Sequence, residues 1–186
     1  MRKSERIMRI TKALSGLMLS ASIVTTEPSV AAPSSEIQAL TVAFLYNFMK
    51  LSEWPPQTIT NEFTLCAIQS SDYSIDVDSL AGKEVQSYTL KIRHLMQGDS
   101  IEGCQLLYIP EDEKPIRLRE WLKIMDKKPL LSVSSTPGFL DQGGMIELVS
   151  EGDHLLFEVN LTPVEQAGIK ISSKMLQIAR EVQGNP

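Results

Sequence analysis

Only two cysteines occur in this 186-residue chain, Cys66 and Cys104, and each stands in a short, mostly apolar run. The first is Phe63-Thr64-Leu65-Cys66-Ala67-Ile68 and the second is Cys104-Gln105-Leu106-Leu107-Tyr108-Ile109. Runs of this length that do not alternate with polar residues fit strands buried on both faces. If the two strands neighbour each other in one sheet, their Cβ atoms come close enough to bridge. Closing a loop of about 39 residues would then stabilise the fold by ~4 kcal/mol in the chain-entropy account. The spacing is too wide for a CxxC redox motif, and no metal-ligand pattern surrounds either cysteine. A bridge that only staples the fold and one that senses redox state are both compatible with the pattern.

Whether the cysteines pair depends on the compartment, because disulfides persist mainly outside the reducing cytoplasm. The N-terminus speaks to this. Arg2, Lys3, Arg6, Arg9 and Lys12 precede a weakly apolar run from Ala13 to Val24, and small residues follow up to Ala31-Ala32. Basic, apolar, then small is the layout of a secretory signal peptide. Residues 1–31 are therefore expected to be a cleaved leader, with Ala32 as the alternative last residue, and residues 32–186 a single domain. The apolar run is too short to span a bilayer. Loss of residues 1–31 takes five of the 18 basic residues and two of the 23 acidic ones, leaving 13 against 21 and a net charge of −8. A domain this acidic has no electrostatic reason to bind nucleic acid.

Periodicity lays out the rest. Ser35 and Gln38 have capping-box spacing, and Ile37, Leu40, Phe44, Phe48 and Leu51 recur every three or four residues. Val42, Leu45 and Met49 widen that face, so a helix over 35–51 should be buried on two sides or meet a partner. Trp54-Pro55-Pro56 stops it. A strand over 63–69, a short helix over 75–81 ended by Gly82, and one strand over 84–95 follow. A strand over 105–109, a helix opened by Pro115 and a strand over 130–134 come next. Met145–Val149 and Leu155–Asn160 flank Glu151-Gly152-Asp153, a hairpin signal. Thr162-Pro163 starts a short helix ended by Gly168, and a last helix spans 173–182. Strands alternating with helices predict a single α/β domain: a mixed sheet flanked by helices, with a C-terminal hairpin followed by two helices.

The chemistry-bearing motifs are sparse. There is no dinucleotide loop, P-loop, GxSxG elbow or HExxH, so no catalytic residue, metal or cofactor is expected. His154, Leu156, Glu158 and Asn160 share one face of a strand by alternation. That cluster is compatible with acid–base work, but half-exposed strands routinely carry such residues. Glu158, with Leu161 and Val164 at the start of the next helix and Ile146 in the preceding strand, is an acidic residue ringed by apolar ones. These four are the expected partner-contacting set; the bland alternative has Asn160 capping the turn and Glu158 solvated. Lys170 and Lys174 read as surface charges.

Several blocks in order resemble one family. They are Ala43-Phe44-Leu45-Tyr46-Asn47-Phe48, Glu53-Trp54-Pro55, Leu65-Cys66, Leu80-Ala81-Gly82-Lys83 and Gly103-Cys104-Gln105-Leu106-Leu107-Tyr108-Ile109. Pro137-Gly138-Phe139, Gly143-Gly144-Met145-Ile146, Phe157-Glu158-Val159-Asn160-Leu161 and the stretch Gly168 to Leu176 continue the series. Together they resemble the YfiR family of periplasmic regulatory proteins. The resemblance implies a periplasmic protein that binds the sensor domain of an inner-membrane diguanylate cyclase, or of another membrane sensor such as a histidine kinase. Holding a cyclase inactive would lower cyclic di-GMP and with it biofilm formation. It further implies homodimers, an outer-membrane lipoprotein as a second partner, and a disulfide at Cys66 and Cys104. A second cysteine pair that some members carry near residues 143–147 is missing here. A small-ligand-binding protein that gates a membrane sensor is the competing reading.

Overall fold

Alternation sorts the central strands between two cores. In the runs Glu62–Ile68 and Leu106–Ile109, every residue from Phe63 and from Leu106 onward is buried. Successive side chains point to opposite faces. Phe63, Leu65 and Ala67 therefore meet one core with Leu106 and Tyr108, while Cys66 and Ile68 meet the other with Leu107 and Ile109. The structure is a computed structural model that describes residues 35–70 and 74–184. The expected leader and its cleavage point lie outside the described residues.

In chain order the elements are α1 (Ser35–Leu51), β1 (Ser52–Glu53), β2 (Glu62–Ile68), a 3₁₀ turn (Val77–Leu80), β3 (Glu84–Val85), β4 (Tyr88–Leu95), β5 (Leu106–Ile109) and α2 (Pro115–Met125). They continue with β6 (Leu131–Ser134), β7 (Ile146–Glu151), β8 (His154–Asn160), α3 (Leu161–Gln166), β9 (Lys170–Ile171), α4 (Ser173–Ile178) and β10 (Glu181–Gln183). The main sheet has the order β10-β8-β7-β6-β5-β2-β4-β3. From β4 to β7 the neighbours run parallel, β3 and β8 add antiparallel, and β10 lies parallel to β8. α1, α3 and α4 contribute Phe48, Val164 and Met175 to the first core; α2 and the 137–144 turns contribute Trp121 and Phe139 to the second. β1 and β9 form a separate antiparallel ribbon. This is the mixed, helix-flanked sheet expected, with its β7–β8 hairpin followed by two helices.

Besides the helix expected over 75–81, which is only the 3₁₀ turn Val77–Leu80, four local expectations change. α1 buries Ile37, Thr41, Leu45, Phe48 and Met49, a single stripe, while Leu40 and Ala43 are exposed. Half-buried Phe44 stacks on Phe48 and meets Phe157 edge-on, each at 5.7 Å between centroids. The helix is thus covered on one side only. Ser35 is already helical and so is not its cap. Second, the strand expected over 84–95 is a hairpin, turned at Gln86 (φ 51°) and Ser87 (φ 73°). Two successive positive φ values suit the twist of paired strands and favour Asn-Gly, which this chain lacks. The Gln86 side chain explains the exception: its Nε2 donates to the Met49 carbonyl at 2.9 Å and to the Ser52 carbonyl, closing the C-terminus of α1. Third, the last helix stops at Ile178; Ala179 turns extended, and the chain continues as β10. Fourth, Asn160 caps α3, accepting from Thr162 N at 3.1 Å, so Thr162 is inside the helix.

Candidate functional site

Cys66 lies in β2 and Cys104 two residues before β5, its parallel neighbour, where Leu65 faces Leu106 and Cys66 faces Leu107. The two are joined by a disulfide with Cα atoms 5.8 Å apart. The bridge is buried on the α2 side of the sheet, in the core that holds Leu107, Leu118 and Trp121. It clamps the end of the loop that leads from β4 into β5.

Ile146, Glu158, Leu161 and Val164 do come together, because Ile146 faces Val159 across the β7–β8 ladder and α3 follows β8 directly. Their side chains, however, belong to the interior. Ile146, Leu161 and Val164 are part of the α1-side core. Glu158 is 8% exposed and accepts from Arg180 Nε at 2.7 Å and from Arg180 Nη2. Arg180 also pairs with Glu151 through Nη1. Hydrogen bonding to Glu158, then to Glu151, raises the guanidinium pKa above its ordinary value. A nearly buried carboxylate without such a partner would carry a large desolvation cost, so Arg180 is what lets Glu158 sit there. In this arrangement none of the four presents a free side chain to a partner. Arg180 was hidden from sequence reasoning because a helix over 173–182 does not place it beside β8.

His154 stands exposed at the tip of the hairpin, 3.4 Å from Asp153. It is four residues along the strand from Glu158, roughly 13 Å, so the two do not form one acid–base pair. Among the described residues no group of three or more His, Cys, Asp or Glu side chains is arranged to hold a metal ion. No helix among them is long and apolar enough to cross a membrane.

The least anticipated feature is a polar cleft of about 530 Å³ where the β1–β9 ribbon meets the β3–β4 turn, lined by Lys50, Ser52, Glu53, Gln86, Lys170 and Ser172 among others. Lys170 is exposed, as expected of a surface charge, but it faces this cleft. The Ser52 hydroxyl is buried there and makes no hydrogen bond. Buried polar atoms are nearly always paired, and an orphan calls for a reason. The cleft joins three segments far apart in sequence. The only advance signal was that two of the resembling blocks, around 53–55 and 168–176, flank it.

The sequence model of the YfiR/HmsC-like family matches residues 38–180. The match runs from the first turn of α1 to Arg180 and takes in both cysteines, the polar cleft and the β7–β8 hairpin.

Proposed function

The chain belongs to the YfiR/HmsC-like family, whose members are periplasmic regulators of cyclic di-GMP signalling, and on that premise we propose that it binds the periplasmic sensor domain of an inner-membrane signalling protein and represses a diguanylate cyclase. The observation that carries this reading is the length of the family match, which covers residues 38–180. The basic–apolar–small order of residues 1–31 supports export, and a buried disulfide is at home in the periplasm. The mechanism needs only differential affinity. A protein that binds the inactive sensor conformation more tightly shifts the equilibrium by that difference and no more. A homodimer and an outer-membrane lipoprotein that sequesters the regulator belong to the same reading. In-cell crosslinking of the tagged mature protein tests it. Trapping a membrane protein with a cytoplasmic cyclase domain is the expected result; a histidine kinase would keep the regulatory role and change the output. If no membrane protein is trapped, the reading is wrong.

The lining of the polar cleft favours a second reading, in which a small ligand there gates the same partner. The lining sets Lys50 and Lys170 against a single acidic residue, Glu53, with Ser172 beside them, a balance that suits an anionic ligand. A ligand that binds the native state raises the melting temperature, so thermal shifts with phosphate esters and carboxylates test this reading. Shifts unchanged in a Lys50→Ala, Lys170→Ala variant would move any binding elsewhere.

A further inference from the structure

A second cleft, of about 400 Å³, opens between the loop after β4 and the outer face of α2. Gln97, Gly98 and Asp99 form one wall, and Glu120, Trp121 and Ile124 the other. Trp121 is only 4% exposed and its indole N–H donates to Glu113 Oε2 at 3.3 Å, so it closes the floor of the cleft and adds little contact surface. The only charged residues in the lining, Asp99 and Glu120, are both acidic. Glu120 makes no ion pair among the described residues.

Apolar surface continues beyond the cleft. Ile116 is 62% exposed and Ile124 41%. Ile116, Glu120 and Ile124 follow one another at i, i+4 and i+8, a ridge about 12 Å long at helical rise. Exposed apolar residues gathered at one place mark an interaction surface more often than scattered ones do.

The loop wall is preformed. Met96 N donates to Asp99 Oδ2 at 2.8 Å and Asp99 N to the Met96 carbonyl at 3.1 Å. Arg93 Nη1 holds the Glu102 carbonyl at 2.7 Å, and the disulfide fixes the loop at Cys104. A wall ordered in advance costs little entropy on binding.

We propose that this face is a docking site for a polypeptide segment of a partner that inserts an apolar side chain flanked by a lysine or arginine. The apolar ridge is longer than the cleft, which fits a segment of chain better than a small molecule. The exposed Ile116 and Ile124 side chains supply the apolar contact that anchors an interface. The two carboxylates at the rim select a cation and speed encounter more than they add affinity. The inference rests on the regulatory reading above for whose segment this is, but the chemistry of the groove stands without it.

Two measurements separate these layers. The mature, oxidised protein is titrated with two capped peptides, Lys-Leu-Leu-Lys and Glu-Leu-Leu-Glu, and followed by ¹H–¹⁵N NMR at the Trp121 indole and the amides of residues 97–99. The lysine peptide is expected to shift these signals saturably, more weakly in high salt and at least fivefold more weakly in Glu120→Lys; the glutamate peptide is not. Equal binding of both peptides, or no shift from either, overturns the assignment of the groove. In cells, the exposed double variant Glu120→Lys, Ile124→Asp should keep the wild-type melting temperature and lose most of the crosslinked partner. Wild-type crosslinking by that variant overturns this docking surface and leaves the regulatory reading intact. If the wild-type protein itself traps no membrane protein, the regulatory reading fails and the peptide titration alone decides the groove.

Discussion

Removing the disulfide should cost this domain a large part of its stability, and the size of the loss follows from the loop it closes. Cys66 and Cys104 are 38 residues apart in sequence. In the chain-entropy model a loop of about 39 residues stabilises by ~4 kcal/mol at 25 °C. For a domain of roughly 150 residues each kcal/mol moves the melting temperature by about 2–4 °C, so a loss of roughly 8–16 °C is expected. Two perturbations separate closure from packing. Reducing the wild-type protein breaks the bond and keeps both sulfurs, whereas Cys66→Ala, Cys104→Ala also empties space beside Leu107 and Trp121. Cavity formation makes the alanine variant the less stable of the two. Urea unfolding followed by circular dichroism gives both stability and m. The slope should rise on reduction, since an unbridged denatured chain exposes more surface. A loss under about 1 kcal/mol in both cases, with m unchanged, would refute the loop-closure argument. If Cys66→Ser matches the wild type in stability and in the repression proposed above, redox control through this bond is excluded.

Three further outcomes test particular contacts. Gly144→Ala would place a Cβ 2.2 Å from the fully buried Phe139 ring, and overpacking of this kind costs about 1–3 kcal/mol or more in urea unfolding; a neutral result would mean the 137–144 turns are free to shift. Ser87→Gly should stabilise by roughly 0.5–1 kcal/mol, because φ at 87 is 73° and a left-handed L-residue is costly; the same change with no gain would show that the turn relaxes. Arg180→Ala should lower the melting temperature and the hydrogen-exchange protection of β10 more than Glu151→Gln does, since only the former strips Glu158 of its partner; equal effects would assign the role of Arg180 to Glu151.

Residues whose environment is set by their neighbours in sequence were legible in advance. The extent of α1, the doubly buried runs around Cys66 and Leu107, the Pro115 start of α2 and the Gly152 hairpin all follow from periodicity and turn chemistry. Those signals are local, and local signals predict the α/β class and the order of its elements. The adjacency of the two cysteine strands was a condition in that reading and a result of the sheet order β5-β2-β4.

What escaped was non-local. Met175, Leu176 and Ile178 have helical spacing, yet the chain leaves the helix after Ile178 because β8 offers an unpaired edge to residues 181–183. That pairing brings Arg180 to Glu158 and turns an apparent surface acid into a satisfied interior one. Gln86 holds a turn that its sequence disfavours because its amide closes the end of α1, thirty-seven residues earlier. Ile146, Leu161 and Val164, which looked like an apolar rim, are covered by the chain's own helices. Sequence alone determined the long helices and the central strands, since backbone preference and side-chain period act over a few residues, but not the short strands β1, β9 and β10, which form only against a partner. The tertiary structure decided which polar groups find partners and which apolar ones stay exposed, because pairing and burial depend on surfaces that only packing brings together.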